Sequence, residues 1–260
     1  HTITSSLQIE KSNVSDLHII NYNNDMLSVI STYDGCGYIW NSSYKNVSAA
    51  WRVDPNYLND NIPLYNAVSS TNNTIAMGRG YSGLSLWDMS SQKLIDEWLF
   101  DKKNKISSIA MSPSDNNICI VGYENGQCIA IDTRCPTYII NFSFGECIAG
   151  IKGNRSVTDS IYLSTVSGRI LHWDLISNEF IPIESQKTTI SGFDVHYALP
   201  LLAISSSTSS PYILSSKNGE VLYKATDFAP ETFVSFHPTL PVISFGTSTG
   251  ELFTYDILQT

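Results

Sequence analysis

The 260-residue chain carries a net charge of −9, with 15% charged and 42% hydrophobic residues. Its basic cluster, Lys102, Lys103 and Lys105, is too short to track phosphates, so a nucleic-acid partner is set aside on charge. No apolar stretch approaches the roughly 20 residues that span a bilayer, and residue 1 lies in polar sequence without a basic start and apolar run, so neither direct membrane insertion nor a secretory signal is expected.

In chain order, short alternating runs recur. Residues 2–9, "TITSSLQI", read as a lone strand. A first unit follows as "DLHIINY", "MLSVIST", a turn at Asp34-Gly35, and "CGYIWN". The second reads "LYNAVSS", "TIAMGRG" and "LSLWD". The third reads "ISSIAMS", "NICIVGY", "QCIAID" and "TYIINFSF", and the fourth "AGIKGN", "SIYLSTV" and "RILHWD". The fifth has "SGFDVHY", "LPLLAIS", a polar turn near residue 209 and "EVLYKAT". The sixth has "TFVSFHP", "LPVISFG" and "ELFTYD".

Gly35, Gly83, Gly126, Gly168 and Gly250 mark the same tight turn, spaced 48, 43, 42 and 82 residues apart. Glycine supplies the positive φ such a hairpin needs, and the runs on either side alternate as half-buried strands do. Four strands every forty-odd residues is the period of a β-propeller blade. The expected fold is therefore an all-β, WD-repeat β-propeller filling residues 1–260 as a single domain. Its repeats fall near 13–53, 54–100, 101–145, 146–186, 187–227 and 228–260, with 1–12 as the outer strand of an incomplete blade. Six triplets are visible. Either the lone strand completes the last blade, or the chain belongs to a seven-bladed ring whose first blade is incomplete.

One segment conflicts with the register. "SSQKLIDEWLFDKKNK" (90–105) spaces Leu94, Ile95, Trp98 and Leu99 as a helix face would. The repeat register, supported by the other five units, demands an outer strand there, and the register is followed.

The motifs that suggest chemistry reduce to architecture. In "SGRILHWDLISN", His172, Trp173 and Asp174 are consecutive on a strand, so neighbouring side chains point to opposite faces and cannot converge on one atom. Trp173 holds the position of Trp40, Trp87 and Tyr255 in other units, where an aromatic fills space between blades. Asp174 matches Asp88, Asp132 and Asp256 at the strand end. "GRGYSG" (78–83) fits a dinucleotide fingerprint in letters only, since a strand follows it and not a helix. His196 and His237 share a repeat position before a turn. The five cysteines contain no C-x-x-C pair and read as buried free thiols of a reducing compartment. Sequons such as those at Asn41 and Asn141 do not establish secretion. No catalytic residues, cofactor or metal are expected, and the chain is read as not an enzyme. A hydrolytic propeller with carboxylates converging on its channel is the least favoured alternative.

The units look like worn WD repeats. Asp34-Gly35 keeps the family's turn aspartate, but the Gly-His dipeptide that opens each repeat is absent, leaving apolar packing to carry stability. "SSIAMSPSDNNICIVGYENGQCIAIDTRCP" (107–136), "VSAAWRVDPNYLNDNIPLYNAVSS" (47–70) and residues 218–257 together resemble, in order, the C-terminal WD-repeat propeller of the Raptor family. The resemblance spans essentially the whole chain through loose motifs, and the Asn-rich, lysine-poor wording suggests a fungal relative. It implies a non-catalytic scaffold of TOR complex 1, serving nutrient and growth signalling. The partners would be the TOR kinase, other subunits of that complex and an upstream helical-repeat region of the same polypeptide. It also implies a cytoplasmic protein, peripheral at the vacuolar or lysosomal membrane through its complex. The alternative is a WD-repeat adaptor of another assembly, such as a ubiquitin ligase or trafficking coat.

Propellers bind partners through loops held on a rigid frame. The 51–66 connection offers Trp51, Arg52, Tyr57 and Tyr65, residue types enriched at binding hot spots. Arg79 and Tyr81 sit in a Gly-rich turn expected to be exposed. Packing of Trp51 into its own blade edge is the competing reading.

Overall fold

The computed structural model describes residues 7–9, 12–23, 25–52, 63–69, 73–80, 83–99, 104–154, 160–183, 188–196, 198–226, 233–237, 240–247 and 249–257. All regular structure among them is strand, in six antiparallel sheets whose strands lie in sequence order. The first sheet holds β1 (Val14–Tyr22), β2 (Asp25–Thr32), β3 (Cys36–Asn41) and β4 (Asn46–Arg52). The second holds β5 (Leu64–Ser69), β6 (Thr74–Arg79), β7 (Leu84–Asp88) and β8 (Lys93–Trp98). The third holds β9 (Ile106–Met111), β10 (Ile118–Tyr123), β11 (Gln127–Asp132) and β12 (Cys135–Ser143). The fourth holds β13 (Ile148–Gly153), β14 (Ser160–Thr165), β15 (Ile170–Asp174) and β16 (Glu179–Ile183). The fifth holds β17 (Ile190–Val195), β18 (Leu201–Ser206), β19 (Tyr212–Ser215) and β20 (Val221–Lys224). The sixth holds three strands among the described residues, β21 (Phe233–Phe236), β22 (Val242–Gly246) and β23 (Leu252–Asp256). This is the repeating sheet of a β-propeller.

The strands form two compact units. One is built on most of the first three sheets, and the other on the last three together with Ser112–Asp115, Glu124–Cys128 and the end of β12 from Phe142. Residues 7–9 form no strand, and residues 2–6 of the expected lone strand lie outside the described residues.

Burial follows position within each sheet. Every residue of β14 and β18 is buried, whereas β8, β16 and β20 are mostly exposed. A middle strand is covered on both faces, which is why its sequence is a near-continuous apolar run. On β18, Leu202 and Ile204 pack with Tyr162, Ile170 and Phe193, while Leu201 and Ala203 pack with Val234, Ile243 and Phe245. The first unit repeats this, with Val29 and Ile39 against Leu64, Ile75 and Met77, and Leu84 and Leu86 against Ile109, Cys119 and Val121. Each such side chain contributes about 1.5–3 kcal/mol of burial free energy before entropy is counted.

Segment 93–98 is a strand, as the register required. β8 pairs with β7 through Leu84↔Trp98, Ser85↔Glu97 and Leu86↔Asp96. In strand geometry Trp98 goes under cover, while Leu94 and Ile95 stay about half exposed.

First strands are also tied to one another by polar groups. An Asp16 oxygen accepts the Asn66 backbone N–H at 3.1 Å, linking β1 to β5. Asp194 accepts the Phe236 N–H at 2.8 Å, linking β17 to β21.

Candidate functional site

The His172-Trp173-Asp174 triplet sends its side chains three ways. His172 Nε2 lies 2.8 Å from Ser160 Oγ, and its ring stacks on Tyr162 with centroids 5.0 Å apart. Burial holds the His172 pKa below its ordinary value, a shift that attraction to Asp174 partly offsets. Trp173 is fully buried on the opposite face, edge-on to Phe142 and stacked on Phe180, both at 5.4 Å. Its indole N–H donates to Asn178 Oδ1 at 3.2 Å. Asp174 accepts the N–H groups of Ile176 at 2.8 Å and Ser177 at 3.1 Å. No atom is shared by the three.

The last of these roles recurs. Asp132 accepts the Arg134 N–H at 2.9 Å, Asp88 accepts the Ser91 N–H at 2.6 Å, and Asn41 accepts those of Ser43 and Tyr44. Short acidic or amide side chains suit this turn because they bond their own backbone two residues on. Hydrogen bonds from Ser177 and Ile176 hold Asp174 below the usual carboxylate range, as those from Arg134 do for Asp132. Asp256 ends β23 at the same strand position.

The glycine turns carry a second repeated group. Thr32 and Thr165 end the strand before the turn and Thr247 directly follows its own, and each hydroxyl accepts the N–H four residues later at 3.1–3.2 Å. Gly168 sits at φ +95°, and a Cβ there would lie 2.3 Å from the Thr188 carbonyl oxygen. Of "GRGYSG", Gly78 lies on β6 and Gly83, at φ +89°, leads into β7, so a strand and not a helix follows. Among the described residues no group of three or more His, Cys, Asp and Glu could hold a metal. His196 and His237 turn their Nδ1 atoms onto the following loop, where they accept backbone N–H groups.

Of the six residues proposed to meet a partner, Tyr57 and Tyr81 lie outside the described residues, as does the Arg79 side chain, although Arg79 itself ends β6. Tyr65 is half-buried on β5 and packs against the core between the second and third sheets. Arg52 is exposed at the end of β4, with Nη2 3.4 Å from the Asp34 carbonyl oxygen and 3.7 Å from its carboxylate. Burial alone would raise the Asp34 pKa; hydrogen bonds from Thr32, Ser12 and Cys36, with Arg52 close by, hold it down instead. Trp51 is half-buried. It stacks on Trp87 at 5.4 Å, donates toward Met77 Sδ at 3.1 Å, and lies where a Cβ on Gly37 would approach within 2.9 Å.

Trp51 and Phe142 thus occupy equivalent places. Each is on the last strand of a sheet and covers the tryptophan, Trp87 or Trp173, on the third strand of the next. Trp40 and Tyr255 hold that third-strand position half-buried, with Tyr255 edge-on to Phe245.

No family model matches the chain, and no curated protein matches its sequence. Solved structures do match its fold. A crystal structure of Raptor from Chaetomium thermophilum is similar over 95% of this chain, with a TM-score of 0.82 and 16% identity. The chain spans 24% of that protein's length. A structure of U3-55K is similar over 96% of this chain and 79% of its own, with a TM-score of 0.81 and 9% identity. At these identities the likeness shows the fold, an all-β propeller.

Proposed function

We propose that this chain is a non-catalytic scaffold propeller of the Raptor type, supporting assembly of a TOR kinase complex in nutrient and growth signalling. What supports this reading is the likeness of the fold to Raptor, taken together with the resemblance read from the sequence. Three sequence segments, at 47–70, 107–136 and 218–257, resemble the Raptor propeller in order, and the fold superposes on Raptor over 95% of the chain. The side chains that could have done proton chemistry add support. His172, Asp174, Asp88 and Asp132 are each taken up by a stacking or turn role. The partners are the TOR kinase, its other subunits and a helical-repeat region of the same polypeptide, contacted through exposed residues such as Arg52. No helix among the described residues is long and apolar enough to cross a membrane, which is compatible with attachment through a complex at the vacuolar or lysosomal surface.

The near-equal likeness to U3-55K favours one other reading, an adaptor propeller of a different assembly, because the fold alone does not choose between them. Affinity purification of the full-length protein from its host, read by mass spectrometry, separates the two. Recovery of a TOR kinase supports the first reading, and a cullin or coat subunit in its place overturns it.

A further inference from the structure

A cleft of about 590 Å³ lies between the fourth and fifth sheets, inside the second unit. Its volume is in the ordinary range for small-ligand sites. One wall is the Tyr162–His172 pair with Ile181 and Pro182; the other is the loop at Leu199-Pro200 and the turn at Lys217-Asn218.

Both walls are fixed in advance. His196 Nδ1 accepts the N–H groups of Ala198 and Leu199 at 3.0 and 2.9 Å, and its Nε2 lies 3.1 Å from the Leu240 carbonyl oxygen. The Ser216 N–H donates to the Pro200 carbonyl at 2.8 Å, tying the turn to the loop. Opposite, the His172–Ser160 contact and the Tyr162 stack hold the imidazole in place. A site held open this way loses little entropy when a ligand enters.

Lys217 is the charged side chain among the cleft's described lining residues, with the Glu220 carboxylate close by, accepting from Asn218 Nδ2 at 3.3 Å. The chain is at −9, yet no Asp or Glu is among the described residues lining the cleft, and Lys217 stands exposed at its rim. Lys217 is the ammonium group that a ligand in the cleft would meet. The interior is mainly apolar, with Ile181, Pro182, Leu199 and Pro200 facing the aromatic pair.

We propose that this cleft is a preformed binding site for a small amphipathic carboxylic acid. The apolar body lies against Leu199, Pro200 and the His172 ring, and the carboxylate pairs with Lys217 at the rim. The site goes beyond the scaffold reading and stands without it, since neither the partner complex nor any loop contact enters the argument.

The test uses the full 260-residue chain with labelled methyl groups and three probes: indole-3-propionate, its neutral amide, and the cation tryptamine. The acid is expected to shift the methyl signals of Ile181, Ile183 and Leu199 saturably, binding about threefold tighter than the amide, as an exposed ion pair allows. Lys217→Glu, an exposed substitution whose fold is checked by the dispersion of the same spectrum, is expected to reverse the order and favour tryptamine. The proposal is overturned if none of the probes moves those methyls, if the shifts map elsewhere, or if acid and amide bind equally to the unaltered chain.

Discussion

Trp87 lies face to face with Trp51, ring centroids 5.4 Å apart and planes inclined by 26°, across the boundary between the first two sheets. Removing either ring leaves the other against a void. Trp87→Ala is expected to cost about 3 kcal/mol of unfolding free energy. A double-mutant cycle with Trp51→Ala is expected to return a coupling of about 1 kcal/mol, measured by urea unfolding. Additive losses would show that the two rings do not support one another.

The turn glycines differ in what surrounds them. Gly250 has φ +86° with nothing within 4 Å of the place a Cβ would take, whereas a Cβ on Gly168 would strike the Thr188 carbonyl. Gly250→Ala should therefore cost only backbone strain, about 1 kcal/mol. Gly168→Ala should cost clearly more, because the next segment's backbone must move. Equal melting temperatures for the two variants would refute the difference.

Acid should loosen the turns. Asp174 and Asp132 are held below the ordinary carboxylate range by hydrogen bonds, and Glu146 by those from Ser167 and Arg169. A carboxylate with a depressed folded-state pKa contributes stability above its unfolded value, and that contribution is lost as pH falls through the folded one. The urea midpoint should decline modestly as pH falls through about 6.5, where the unfolded chain protonates His172 before the folded one does, and fall further below about pH 4 as these carboxylates protonate. Asp174→Asn keeps the acceptor without the titration, so its midpoint should fall less over that range. A parallel fall would remove Asp174 from the effect.

The thiols should sort by burial. Cys119 and Cys128 are fully buried, and burial pushes both thiols far above their ordinary pKa, while Cys135 is exposed. Since the thiolate is the reactive form, an aromatic disulfide reagent should label Cys135 in the native protein and reach Cys119 and Cys128 only on unfolding. Native labelling of Cys119 at the rate of Cys135 would contradict this packing.

Much of this architecture is legible in the sequence, because glycine spacing and alternation are local properties that the sheets inherit directly. The strand over 93–98 is readable only from the repeat, since its own spacing of Leu94, Ile95 and Trp98 suits a helix. The partners of the third-strand tryptophans are not readable. Phe142 and Trp51 lie on last strands, whose polar, irregular wording carries no shared signature, and only packing across a sheet boundary reveals that they are equivalent. Thr32, Thr165 and Thr247 do leave a signal, as each stands three residues before a turn glycine. The cleft beside His172 leaves none, because residues 162, 172, 199 and 217 meet only after two sheets have formed.

The repeated-sheet architecture is tested most directly by comparing the urea unfolding of Trp173→Ala and His172→Ala. Trp173 fills space between sheets with no exposed surface, so its removal should cost about 4 kcal/mol. His172, half-buried at the edge of a cleft, should cost less than half of that. A Trp173→Ala variant as stable as the unaltered chain, or one less damaged than His172→Ala, would contradict the assignment of this triplet to the frame of the fold.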